Sequence, residues 1–168
     1  MRKIKNKMTL KQTLVLIKPD GVGRGLIGEI LKRFEQRGLK IVGMKMAHID
    51  KDFSKKHYSE LLGKEFYAGL EDYITSGPVI AIVIEGIEAI ENVRKIVGET
   101  ESKSALPGTI LGDFSHVSYS YANKKKISIK NLIHASGNEE DAKKELALWF
   151  SIGEIHNYKR GEDEHVIE

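Results

Sequence analysis

The residues of this sequence best suited to chemistry are six histidines, a few placed cations and a glycine-rich stretch near the start. Among His48, His57, His116, His134, His156 and His165, only His134 has a distinctive neighbourhood. It lies in NLIHAS, at the end of a strand-like apolar run, where the chain turns toward a helix. Ser136 follows two residues later, and Glu145 falls one to two turns into the next helix, where it can fold back. A histidine held by a carboxylate and a hydroxyl has a fixed tautomer and orientation. A nucleophilic imidazole needs both. A structural or surface histidine remains the alternative on these facts. Lys18 closes the first apolar run, and Arg94 precedes Gly98-Glu99-Thr100. Arg94 and Thr100 together offer charged and hydroxyl donors suited to a phosphate; two solvated side chains are the plain alternative. Gly21-Val22-Gly23-Arg24-Gly25 lacks the last glycine of a G-x-G-x-x-G loop, because Leu26 stands there. No G-x-x-x-x-G-K-[ST] occurs either, so this segment reads as a turn into a helix. Phe66 reads as a core residue in preference to a stacking surface.

The elements that must position these groups follow from periodicity. Thr13–Lys18 is a short β-branched apolar run closed by Pro-Asp-Gly, a buried strand ending in a turn. Leu26, Ile27, Ile30, Leu31 and Phe34 recur at helical spacing, with Gly38 as the stop. Leu39–Ile49 partly alternates, as a strand with one wet face does. Asp52 opens a helical stretch that carries Tyr58, Leu61 and Leu62, and a second helix covers Ala68–Thr75. Val79–Ile84 is the most strand-like run, and Ile87–Val97 is helical again. From Glu99 to about Lys130 the chain reads as irregular, with turn signals at Pro107-Gly108 and Gly112-Asp113. Loops of that length are usually functional or disordered. Asn131–Ala135 is a final strand. Ser136 or Asn138 caps a last helix through Trp149, and the tail beyond Gly153 reads as extended. Short strands alternating with helices in this order predict an α/β (α+β) sandwich. The ferredoxin-like β-α-β-β-α-β arrangement with a four-stranded antiparallel sheet is the simplest match.

Length and composition set the bounds. A chain of 168 residues reads as one domain. Cysteine is absent, which excludes thiolate chemistry and disulfides. No apolar run approaches the ~20 residues of a membrane span, and the first apolar run is too short for a signal segment, so a cytoplasmic location is expected. The formal charge is +3, but Arg2, Lys3, Lys5, Lys7 and Lys11 crowd the first dozen residues without an acid. Lys124, Lys125, Lys126 and Lys130 form a second basic segment. Basic character confined to two stretches argues against a nucleic-acid-binding surface.

Read together, LIKPDGVGRGLIGEILKRFEQRGLKIVGMKM, HY at 57–58, Phe66, SGPV at 76–79, VRKIVGET, PGTILGDF and NLIHASGN resemble the nucleoside diphosphate kinase family, in order, from about residue 10 to 158. The resemblance implies a ferredoxin-like subunit that passes the γ-phosphate of a nucleoside triphosphate, mainly ATP, to a nucleoside diphosphate. The transfer is ping-pong, through a phosphohistidine, with low base selectivity. Position by position it implies His134 as the nucleophile, Lys18 meeting the transferring phosphoryl group and the ribose, and Tyr58 near the nucleophile. It places Phe66 on the base, Arg94 and Thr100 on the distal phosphates, and Asn131 on the sugar. Ser136 and Glu145 orient His134. Mg2+ rides on the nucleotide with no direct protein ligand. A homo-oligomer is implied, a hexamer favoured over a tetramer by the tail at about 153–168. About 1–10 is a basic extension, and about 115–130 is an insertion relative to the family spacing, a hairpin or a solvated loop.

Two positions depart from the family pattern. Leu111 replaces the arginine of PGTI-R-GDF, and Gly137 replaces the aspartate of G-S-D. A lost charge-assisted contact costs about 1.5–3 kcal/mol, roughly 10- to 100-fold. Lys103, Lys124, Lys125 or Lys126 are the nearest candidates to replace it. The rival reading is a catalytically weakened or regulatory nucleotide-binding relative on the same fold.

Overall fold

The structure is a computed structural model that describes residues 10–166. The first nine residues, with most of the basic extension, lie outside the described residues. Four strands, β1 (Lys11–Ile17), β2 (Lys40–Ala47), β3 (Val79–Gly86) and β4 (Ile133–Ala135), form one sheet in the order β2-β3-β1-β4. Every neighbouring pair is antiparallel. That is the ferredoxin-like arrangement expected from the order of elements. β1 is central because it is apolar on both faces. Val15 and Ile17 enter one core with Ile30, Phe34, Val93 and Val97, while Leu14 and Leu16 enter the other with Leu70, Ile74 and Trp149. Helices on both faces explain why β1 and β3 read as continuous hydrophobic runs although the sheet is antiparallel.

The first core is roofed by α2 (Ile27–Gln36) and α5 (Ala89–Val97). The second is covered by α3 (Lys51–His57), α4 (Tyr67–Ile74) and α8 (Glu139–Trp149). A five-residue helix, α1 (Pro19–Gly23), joins β1 to α2. Phe34 has no exposed surface and lies in the centre of the first core. Phe34→Ala is expected to lower unfolding stability by about 3–5 kcal/mol, read as a shift in the denaturant midpoint.

Several boundaries differ from the sequence expectations. Asp50, not Asp52, caps α3 through a bond from the Phe53 N–H, and Tyr58 to Leu61 leave the helix for a 3-10 turn. Asn138 and not Ser136 caps α8, because the Ser136 hydroxyl is already bonded elsewhere. The stretch from Glu99 to Lys130 is not irregular throughout. It holds α6 (Ile110–Phe114) and α7 (Tyr119–Lys125), each started by a hydroxyl cap from Thr109 or Ser118. The insertion is therefore a capped helix and not a hairpin, and Lys126 ends it in a left-handed conformation. The tail carries a 3-10 turn at Ile152–Glu154 and a short α9 (Asp163–Val166). Between them it runs along the outer edge of β2. The His156 N–H donates to Val42 O at 2.7 Å, the Tyr158 hydroxyl to Ile41 O at 2.6 Å, and Arg160 to the carbonyls of Leu39 and Gly38. Beyond that cover, Met44 and Met46 are exposed, as the wet face of β2 predicts.

Candidate active site

β4 is only three residues long, and it pairs His134 with Leu16, the penultimate residue of β1. The strand starts late because Leu132 has φ +45°, a left-handed conformation that breaks the ladder. Because the two strands are antiparallel, Lys18 just past the end of β1 lies beside the start of β4, close to His134. The Lys18 ammonium donates to Asn131 Oδ1 at 2.6 Å, and the Asn131 amide donates to the backbone carbonyl of Thr100 at 3.2 Å. Burial lowers the Lys18 pKa to about 8, against the opposing pull of Asp20. Lys18, Asn131 and Thr100 share with Arg94, Leu111 and His134 the lining of a cavity of about 90 Å³.

Gly98, at the end of α5, lets the chain close this cavity. Its φ is +89°, and a Cβ there would meet Thr109 Oγ1 at 2.5 Å. Of the lining side chains, Lys18 and Arg94 are the cations. Lys103 and Lys124, Lys125 and Lys126 do not line the cavity, contrary to the expectation that one of them takes over from Leu111. Lys103 lies in a 3-10 turn whose N–H is tied to Val117 O, and the insertion's lysines end α7 or follow it. Leu111 itself is buried, an apolar wall on the cavity.

His134 is oriented from the far side. Its Nε2 lies 2.9 Å from Glu145 Oε1, while the Ser136 hydroxyl donates to Glu145 Oε2 at 2.6 Å. The same hydroxyl oxygen accepts the Leu14 N–H at 3.2 Å, so the support is anchored to β1. Burial pushes the Glu145 carboxyl up, but the bonds from His134 and Ser136 outweigh it and leave the carboxyl below its ordinary range. With Nε2 committed to a carboxylate, Nδ1 is the nitrogen left with a lone pair.

Tyr58 is buried beside the pair, with its ring centroid 6.5 Å from that of His134. Burial raises its phenol pKa, so it is an O–H donor at all working pH values. Phe66 is not a core residue. It stands 56 % exposed at the N-cap of α4, outside the cavity lining, with its face available.

Sequence reasoning missed His57. Its ring packs edge-on against His134 at 5.0 Å between centroids, and its Nδ1 accepts the Trp149 indole N–H at 3.2 Å. Burial, reinforced by His134, lowers its pKa to about 3, so it is neutral. The paired His57-Tyr58 was the available signal, but its partner Trp149 lies far along the chain. His57, His134 and Glu145 place potential ligand atoms within 4.8 Å of one another. His134 and Glu145 share a proton, and His57 Nδ1 accepts the indole N–H, which leaves the His57 proton on the buried, unpartnered Nε2 and no lone pair for a metal, so the group reads as a hydrogen-bonded cluster. The cavity beyond it offers no carboxylate among its lining side chains, which is no place for a hard divalent cation to be held by protein alone.

Comparison with known proteins agrees with this geometry. The family model described as "Nucleoside diphosphate kinase" matches residues 11–155. The chain is 49 % identical over 161 residues to the nucleoside diphosphate kinase of Borreliella burgdorferi, covering 93 % of this chain and 96 % of that one. It is 50 % identical over 154 residues to that of Pyrococcus furiosus, covering 92 % and 91 %. Among solved structures, a transition-state mimic of the Borrelia burgdorferi enzyme with bound vanadate and ADP superposes at a TM-score of 0.91, with 48 % identity and coverage of 95 % and 98 %. A halophilic enzyme from Halobacterium salinarum in complex with CDP superposes at 0.85, with 41 % identity and coverage of 95 % and 100 %. With so large a share of sequence and fold in common, the chain belongs to the nucleoside diphosphate kinase family and is a phosphotransferase acting between nucleoside triphosphates and diphosphates.

Proposed function

We propose that the reaction runs in two half-steps through His134. In the first, the lone pair of Nδ1 attacks the γ-phosphorus of a nucleoside triphosphate, mainly ATP. The bond from that phosphorus to the bridging oxygen breaks, and its electron pair leaves on the nucleoside diphosphate. In the second, a terminal oxygen of another nucleoside diphosphate attacks the same phosphorus, and the P–N electrons return to Nδ1. The observation that carries this reading is the commitment of Nε2 to Glu145 while the ring lines the cavity shared with Lys18 and Arg94. As charge builds on the ring, Glu145 stabilises it, and Ser136 holds Glu145. Phosphoryl transfer asks for in-line positioning and cations on the equatorial oxygens. Lys18 and Arg94 supply the charge, Thr100 a hydroxyl, Asn131 a contact to the sugar, and Tyr58 an O–H beside the nucleophile. Phe66 stacks on the base; every base has such a face, so selectivity among bases is low.

Mg2+ enters as part of the nucleotide substrate, bound to its phosphates, and neutralises part of their charge. The lack of a carboxylate among the cavity's lining side chains fits a metal that the nucleotide brings. The domain spans 1–168, works in the cytoplasm and assembles as a homo-oligomer, a hexamer in preference to a tetramer. No helix among the described residues is long and apolar enough to cross a membrane. Exposed Met44 and Met46 on an edge strand support self-association. The buried wall at Leu111 favours one second reading, a weakened relative that binds nucleotide and transfers slowly. Incubation with γ-labelled ATP separates them. The expected product is protein-bound label that is acid-labile, alkali-stable and chased onto added nucleoside diphosphate. Nucleotide binding without label selects the second reading.

A further inference from the structure

We propose that Asp20, backed by Tyr73, is a positioning residue that clamps the strained backbone at Leu132 and so sets Asn131 and His134 toward the phosphate cavity. This rests on the role given above to His134. Leu132 is a fully buried, non-glycine residue with φ +45°, and across it the Ile133 N–H donates to Asn131 O at 2.5 Å. A three-residue turn of this hand is rare and strained. Such conformations persist only where the surroundings over-determine them.

The surroundings here are the entry to α1. Asp20 Oδ2 accepts the Leu132 N–H at 3.2 Å, and the Lys18 N–H donates to Leu132 O at 2.9 Å. Both backbone polar groups of the strained residue are thus held by residues just after β1. The second oxygen of Asp20 accepts the Tyr73 hydroxyl at 2.5 Å. Burial, then the Asp20 charge, raises the Tyr73 phenol pKa, so it remains a donor. Gly21 permits the approach, since a Cβ there would meet Leu132 O at 3.0 Å and Ile17 Cγ2 at 2.8 Å. The turn's neighbours are the working residues: Asn131 precedes it and His134 lies two residues beyond. If Leu132 relaxed to negative φ, those two side chains would change their relative direction.

The test compares Asp20→Ala, Asp20→Asn and Tyr73→Phe in the full chain. Single-turnover phosphorylation by saturating ATP gives the rate, and a titration of ATP gives KM. Misplacement of a reacting group by about 1 Å costs about 100-fold. Asp20→Ala is expected to lose about that much in rate, with a smaller rise in KM through the displaced Asn131. Asp20→Asn keeps an acceptor for the Leu132 N–H and can donate its amide to the Tyr73 oxygen, so it is expected to recover most of the rate. A wild-type rate in Asp20→Ala, or equal losses in both Asp20 variants, overturns the proposal.

Amide hydrogen exchange at Leu132 provides a readout independent of activity. Protection there should fall in Asp20→Ala while the β1 amides keep theirs, and unchanged protection at Leu132 overturns the clamp. If Asp20→Ala fails to fold, Tyr73→Phe decides, with lowered rate and lowered Leu132 protection expected and wild-type values for both refuting the proposal. A wild-type protein that never takes label rejects the role of His134, and the exchange measurement then judges the clamp alone.

Discussion

His134→Ala is expected to abolish protein labelling by γ-labelled ATP and to cut kcat/KM by at least about 10⁴-fold, the scale seen when an enzyme loses a covalent nucleophile. The loss follows from the division of work at the site. Glu145 is bonded to the ring, Ser136 to Glu145, and the β1 backbone to Ser136, so this chain of contacts converges on one imidazole. Without the ring, direct transfer between two nucleotides would need the phosphates of both together in one cavity of about 90 Å³. Nucleotide affinity should survive, because Lys18, Arg94, Thr100, Asn131 and Phe66 are untouched. Equilibrium binding of ADP to the variant, measured beside the labelling, checks that separation. Label retained in His134→Ala would place the nucleophile elsewhere.

The second large effect is expected at Lys18. Its ammonium and the Arg94 guanidinium are the cations lining the cavity, and Leu111 adds none. Removing one preorganised donor from a transition-state site costs about 10²–10³ in kcat, and Lys18→Ala should fall in that range. It also leaves Asn131 Oδ1 without its donor. The pH dependence gives an independent signature. Burial holds the Lys18 pKa at about 8, so the group is charged below that pH and neutral above it. In the free enzyme kcat/KM should therefore fall as pH rises through about 8. A guanidinium keeps its charge throughout this range, so Lys18→Arg should lose that alkaline limb. Steady-state profiles from neutral pH to about pH 10 show it; an unchanged limb in Lys18→Arg assigns it to another group.

Much of this was legible in the residues because it depends on local pattern. The β-branched runs at Val79–Ile84 and Thr13–Lys18 announce strands whatever covers them, and helical spacing alone brings Glu145 back toward His134. What escaped depends on partners distant in the chain or on dihedral angles without a residue signature. Leu132 takes a conformation that glycine would advertise and leucine conceals. His57 acquires its fixed tautomer from Trp149, ninety-two positions away, and its neutral state from burial beside His134. α7 was hidden because alternating serine and tyrosine mimic a strand, while the hydroxyl of Ser118 starts a helix instead. Phe66 was misread as core because exposure is decided by where α4 begins, and no periodic pattern marks its outward face.

The tail that runs beside β2 has a bearing on solubility. An open sheet margin is a template onto which further strands can add without limit, the route to fibrils and clumps. His156, Tyr158 and Arg160 occupy the carbonyls of Gly38, Leu39, Ile41 and Val42, so incoming chains find that part of the margin taken. Shortening the polypeptide after Phe150 would leave His134, Lys18 and Glu145 in place and yet is expected to increase clumping, which light scattering reads.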